Sequence, residues 1–194
     1  DFRGESEQVA SVLLNGRKVP YTVKDEHIVI DTREVANGEN RVTIEFTSND
    51  QSLNRRDEFL YTLLVPDRAR TLFPCFDQPD MKSLFTLSLE VPSSWQAVTN
   101  GAVEQVDSTS VARRKRISFR ETEPLSTYLF SFVAGKLTRE TYSRDGRNIS
   151  IYHRETDPKK VAQCSDIACS PVAASPDWHR RYDLRNRPRG YSQA

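Results

Sequence analysis

A chain of 194 residues and 22.2 kDa is long enough for one domain with a packed core, or one domain and an appendage. Its 28 Lys and Arg balance 27 Asp and Glu, which removes any electrostatic reason to expect nucleic acid or an anionic membrane as a global partner. No apolar run approaches the roughly 20 residues that cross a bilayer, and the opening Asp1-Phe2-Arg3 is not a basic-then-apolar leader, so no compartment is implied. The three cysteines, Cys75, Cys164 and Cys169, form neither a disulfide framework nor a metal-ligand spacing.

Short β-patterned runs separated by turn signals fill the first ~155 residues, the pattern of an all-β sandwich or barrel. A strand at 12–14 runs into Asn15-Gly16, a dipeptide that accepts positive φ. A second covers 27–30, and Asn37-Gly38 marks another turn before 41–46, where Val42, Ile44 and Phe46 share a face. Residues 84–91 alternate in the same way, with Phe85, Leu87, Leu89 and Val91 together; 96–99 follow, ending at Asn100-Gly101. The basic run at 112–117 alternates within a strand-like stretch and reads as a solvated strand or hairpin. Strands at 128–133 and 148–152 flank Asp145-Gly146, and Asn148-Ile149-Ser150, although a glycosylation pattern, is assigned no role. Thr156-Asp157-Pro158 supplies a cap and a first-turn proline, so one helix begins near Asp157, with Val161, Ala162, Ile167 and Ala168 as its apolar positions. From Trp178 the chain carries five arginines and no lysine, and 179–194 reads as an irregular, disordered tail. The division expected is 1–156 as a β-domain, 157–178 as a helix leading away from it, and 179–194 as tail.

One segment carries a specific signature. Asp57 to Thr62, followed by Arg70, Phe73, Pro74, Cys75, Phe76, Asp77, Pro79 and Lys82, resembles the first domain of the aminopeptidase N family of zinc aminopeptidases, the gluzincin metallopeptidases. Thr99-Asn100-Gly101 is similar to a second family element, and 126–135 to a third; the resemblance covers about residues 1–170 in order. Physically the motif is structural. Pro74 and Pro79 fix φ on either side of Asp77, so 73–79 is a stiff irregular connection, with buried aromatics, Asp77 capping local amides, and Cys75 as a small buried hydrophobe.

The resemblance implies an antiparallel β-sandwich or saddle, one C-terminal helix, and an edge loop that reaches towards the active site of a following catalytic domain. In the family, a Gln or Glu of that loop binds the substrate's α-amino group. Counting back from Arg70 puts the position on Val65, within Leu64-Val65-Pro66-Asp67; valine cannot accept a hydrogen bond from an ammonium, so the anchor is either absent or replaced by a neighbour such as Asp67. The family's zinc needs His-Glu-x-x-His on a helix, with the Glu as general base. None is present: His27, His153 and His179 are isolated, no Gly-x-Met-Glu-Asn occurs, and the one methionine is Met81. The sequence therefore implies no catalytic residue, no metal ligand and no cofactor in this chain, with zinc belonging to the full-length family. It reads as a truncated N-terminal domain, inactive alone, whose partner is an aminopeptidase catalytic domain and which meets peptide substrate only with it. The alternative is a free-standing β-sandwich binding module. With Asp1-Phe2 read as the exit of a strand whose partners are missing, exposed sheet edges also predict self-association.

Overall fold

The computed structural model describes residues 1–109, 111–144 and 147–168. They form two compact units, Asp1–Lys136 and a second that begins at Leu137. All strand pairs described are antiparallel.

In the first unit, β1 (Val9–Leu14) lies between β2 (Arg17–Lys18) and β5 (Val42–Phe46). The β1–β2 turn is Asn15-Gly16, both at positive φ (52° and 81°), as the right-handed twist of a tight hairpin requires. Next to it, β3 (Tyr21–Lys24) and β4 (His27–Ile30) form a hairpin that the sequence did not announce: its turn residues, Asp25 and Glu26, also take positive φ (50° and 60°) without a glycine. Phe2, Val9, Val12, Leu14 and Val19 are buried here, against Ile28, Ile30, Ile44 and Phe46. Phe2 is a core residue (1% exposed) that lies outside the described strands. Val42 keeps the parity of Ile44 and Phe46 and pairs with Leu14, but at the first position of β5 it is 46% exposed, and the β5 core contact is made by Ile44 and Phe46.

The rest of the unit is a sandwich. One sheet has the order β10 (Gln96–Thr99), β14 (Phe132–Gly135), β7 (Phe59–Thr62), β6 (Leu53–Arg55); the other has β11 (Val103–Ser108), β12 (Arg114–Phe119), β9 (Ser88–Pro92). Ala97 and Ala134 from the first meet Val91, Ile117 and Phe119 from the second, with Trp95 between them. A neighbouring core of Leu53, Leu64, Ala69, Leu72 and Phe130 continues through Leu60 and Leu87, which touch both. The short β8 (Lys82–Ser83) pairs with β13 (Leu125–Ser126). The basic run becomes β12 and its hairpin, with Arg114 bound to Glu90 at 2.9 Å.

Three expectations change in form. The alternation at 85–91 holds, but regular pairing begins only at Ser88. Residues 128–133 are not one strand: Thr127–Leu129 is a 3-10 turn and β14 starts at Phe132. Asn37-Gly38 and Asn100-Gly101 are bends between sheets, not hairpin turns. The Asn40 amide closes the first onto the Ala36 carbonyl at 2.8 Å. Gly101 is needed for close approach, since a Cβ there would lie 2.1 Å from the Arg120 carbonyl oxygen.

The second unit holds β15 (Thr138–Arg144) and β16 (Arg147–His153), paired from Thr138↔His153 to Arg144↔Arg147, and α1 (Pro158–Ala168). The helix starts as the sequence predicts, with Asp157 Oδ1 accepting from the Lys159 amide at 2.9 Å. Asp145-Gly146 and the segment 169–194, with its arginine-rich tail, lie outside the described residues.

Candidate functional site

The candidate loop is the continuation of β7. Beyond Thr62 the alternation of the strand persists, so Thr62 and Leu64 turn into the core while Tyr61, Leu63 and Val65 face out, 41%, 52% and 53% exposed. The Leu63 amide donates to the Ser52 carbonyl at 2.9 Å, which holds this extension in line with β6. The chain then turns through Pro66 and Asp67, both exposed, and the Arg68 amide returns to the Leu64 carbonyl at 2.9 Å. A 3-10 turn, Ala69–Thr71, follows and buries Ala69 and Thr71.

Arg70 is the centre of the site. Its guanidinium faces three carboxylates: Glu26 (Nε to Oε2, 3.1 Å), Asp67 (Nη2 to Oδ2, 3.2 Å) and Asp77 (Nη1 to Oδ2, 3.5 Å). Nη1 also donates to the Asp67 carbonyl at 3.1 Å. Burial disfavours the charged guanidinium, but the bonds to Glu26 and Asp67 outweigh it and hold the Arg70 pKa above its ordinary value. Glu26 is gripped from the other side by Arg3 (2.7 and 3.0 Å); that bond foremost, and the one to Arg70, outweigh desolvation and lower its pKa. The β3–β4 turn is thereby tied to the loop, and backbone bonds run beside the charges: Phe2 N–H to the Glu26 carbonyl (2.7 Å) and Arg3 N–H to the Arg70 carbonyl (2.8 Å).

The proline-bounded motif packs beneath. Asp77 acts as the expected cap, Oδ2 accepting from the Arg70 amide at 3.1 Å, and its own amide donates to Asp1 Oδ2 at 2.9 Å. Phe73 joins an aromatic cluster with Phe85 and Phe130, at centroid distances of 6.5 and 5.8 Å. Phe76 does not bury; it is 66% exposed. Thr127 Oγ1 holds the Phe76 carbonyl at 2.9 Å, and with Cys75 and Asp77 on either side turned inward, the intervening ring is left outside. Cys75 is half-buried, and desolvation, reinforced by Asp77, pushes its thiol up to about 12, which makes it an inert filler. Pro79 is fixed by Ser126 Oγ on its carbonyl (2.7 Å), and Lys82 pairs with Ser126 in β8–β13. Gly135 lies against Phe59, where a Cβ would come within 2.6 Å of the Phe59 Cβ.

Sequence reasoning reached Val65, Pro66, Asp67 and the motif residues but missed Glu26 and Leu63. Leu63 had a signal, its two-residue spacing from Val65; Glu26 had none, because it lies 44 positions from Arg70.

A zinc ion does not fit these residues. His27 Nε2 sits 3.0 Å from Asp1 Oδ1, His153 belongs to the other unit, and among the described residues no three His, Cys, Asp or Glu side chains converge to hold a metal.

Residues 6–129 match the model of the peptidase M1 N-terminal domain. The chain belongs to that family. Among similar curated proteins are the puromycin-sensitive aminopeptidase of Caenorhabditis elegans, 30% identical over 167 residues covering 85% of this chain and 17% of that protein, and aminopeptidase M1-A of Oryza sativa subsp. japonica, 31% identical over 153 residues covering 72% and 17%. A probable M1 family aminopeptidase of Encephalitozoon cuniculi is 38% identical over 96 residues, 49% of this chain and 11% of that protein. The chain thus spans 17% or less of these three relatives. The crystal structure of the M1 zinc metallopeptidase from Deinococcus radiodurans superimposes with a TM-score of 0.58 at 21% identity, over 75% of this chain and 36% of that one, and shows the shared fold. The aminopeptidase N resemblance and the antiparallel β fold therefore stand.

Proposed function

We propose that this M1 N-terminal domain serves a zinc-dependent aminopeptidase as its non-catalytic part, shaping the substrate cleft once a catalytic domain is joined to it. One observation carries the reading: the family match falls on the N-terminal domain, over residues 6–129, in a sequence that contains no His-Glu-x-x-His. In that arrangement the catalytic domain supplies the zinc and the general base, and removes N-terminal residues from peptides. This chain contributes a rigid platform, the loop at 65–67 lies beside the substrate, and Arg70, Asp77 and the two prolines hold that loop in place. The test is metal analysis of the purified 194-residue chain beside an aminoacyl-anilide assay. The expected result is no stoichiometric metal and no turnover; one tightly held zinc with chelator-sensitive turnover overturns the reading.

A further inference from the structure

The sheet β11–β12–β9 ends on a strand whose outer backbone is partly unpaired. Over 85–93 the odd-numbered positions turn their backbone towards β12 and its continuation. The Thr122 amide donates to the Phe85 carbonyl at 3.0 Å, the Phe119 amide to the Leu87 carbonyl at 2.9 Å, and the Ser93 amide to the Arg113 carbonyl at 2.9 Å. Antiparallel pairing alternates, so the even-numbered positions face the other way, where β9 has no neighbouring strand among the described residues. The Glu90 carbonyl is capped on that side by Arg114 Nη2 at 2.6 Å. Among the described residues nothing takes up the backbone N–H and C=O of Thr86 and Ser88 there. The side chains along this edge do nothing to repel a partner. Leu84-Phe85-Thr86-Leu87-Ser88-Leu89 is uncharged and holds no proline or glycine, whereas β5 carries Glu45, β6 Arg55, and β11 Glu104 and Asp107. Natural sheets guard exposed edges with such charges or with proline. Inward, Phe85 and Leu87 line an apolar groove of about 410 Å³ together with Phe46, Leu53, Phe73 and Phe130.

We propose that this edge pairs with the same edge of a second copy of the chain, antiparallel about a two-fold axis at Leu87. In that register Thr86 of each copy lies opposite Ser88 of the other, each free N–H meets a free C=O, and none is left over. A single edge paired about a two-fold axis is its own complement, which makes a second copy the occupant. On the inner face Leu87 packs against its counterpart and Phe85 against the second copy's Leu89, extending the apolar surface that borders the groove. The inference is independent of any contact between the loop at 65–67 and a substrate.

The test is sedimentation equilibrium of the 194-residue chain from about 1 to about 300 μM, a range that brackets a modest interface. The expected result is a monomer–dimer equilibrium. Thr86→Pro removes only an outward N–H, at an edge position that tolerates proline. Its urea midpoint is expected to stay near that of the unsubstituted chain while dimerisation weakens by about 10-fold or more. Two double variants, Thr86→Lys with Ser88→Lys and Thr86→Glu with Ser88→Glu, set like charges opposite one another across the axis, and each is expected to be monomeric. Mixed, the two are expected to recover pairing as a heterodimer. A chain that stays monomeric over the whole range, association that these variants leave unchanged, or a mixture that forms no heterodimer overturns the proposal.

Discussion

Replacing Arg70 by methionine isolates the charge that the site is built around. The Asp77 side chain is 1% exposed and that of Arg70 16%, so removing the guanidinium leaves a desolvated carboxylate held only by the Arg70 backbone amide at 3.1 Å. Its second oxygen, Oδ1, is buried with no hydrogen-bond partner in the structure, so no other group takes over. Breaking one side of a buried pair costs about 3 kcal/mol, at the lower end here because Nη1 lies at 3.5 Å. The Glu26 and Asp67 contacts add little to that figure, since both carboxylates are about half exposed. For a chain of this length 3 kcal/mol lowers Tm by about 6–12 °C and moves the urea midpoint with the slope unchanged. Removing the stranded charge as well, in Arg70→Met with Asp77→Asn, is expected to recover about 1 kcal/mol or more relative to the sum of the single variants. Additive losses in the double variant, or an Arg70→Met cost within about 0.5 kcal/mol of zero, would refute the claim that the pair is coupled and buried.

The remaining expectations concern titration and packing. Raising the Cys75 thiol from 9.0 to about 12 cuts its thiolate at pH 8 by about 10³-fold, so alkylation read peptide by peptide in a mass spectrometer should be slower in the folded chain by about that factor. Because the folded thiol holds its proton more tightly, the same shift contributes stability that is complete below pH 9 and is lost as pH rises towards 12. Glu26 has the opposite sign: its pKa is lowered on folding, so its contribution is present above its ordinary value of 4.5 and lost as pH falls through the lower folded value. Glu26→Gln should therefore flatten the acid limb of a stability-against-pH curve, and an unchanged limb counts against the role given to Arg3 and Arg70. Gly101→Ala drives a Cβ to within 2.1 Å of the Arg120 carbonyl oxygen and is expected to cost about 3 kcal/mol in chemical denaturation; a cost near zero means that the backbone there yields freely.

The parts of the fold that the sequence made visible are those set by local chemistry. Asn15-Gly16 turns where its φ preference says it should, and α1 starts where Asp157 and Pro158 place it. The alternation at 85–91 points Phe85, Leu87, Leu89 and Val91 inward even where no regular pairing exists, because hydrophobic period, unlike strand pairing, is written in the residues themselves. The break in 128–133 is different. It is made by side chains from far along the chain, Asn100 Oδ1 accepting from the Ser131 amide and Thr127 reaching the Phe76 carbonyl, and no local pattern encodes a partner 31 or 51 positions away. Phe76 escaped for a related reason: the prolines announce a stiff segment but not which of its side chains point inward.

The candidate site divides along the same line. Val65, Asp67 and the Arg70 motif could be read because they are contiguous, whereas Glu26 looks in sequence like any charged residue at a solvated turn. Its role follows from what runs beside it. The Phe2 amide on the Glu26 carbonyl and the Arg3 amide on the Arg70 carbonyl join turn and loop through backbone, independent of any titrating group. Protonating Glu26 therefore loosens the side-chain bridge while leaving those two bonds in place, and the buried Asp77 contact to the Arg70 amide is untouched. The acid response of Glu26 should thus be a loss of stability at a still-formed loop, whereas Arg70→Met releases all three carboxylates together. The two perturbations differ in size, and amide exchange at residues 3 and 70 distinguishes them: protection nearly unchanged in Glu26→Gln, and reduced in Arg70→Met in proportion to its lost stability.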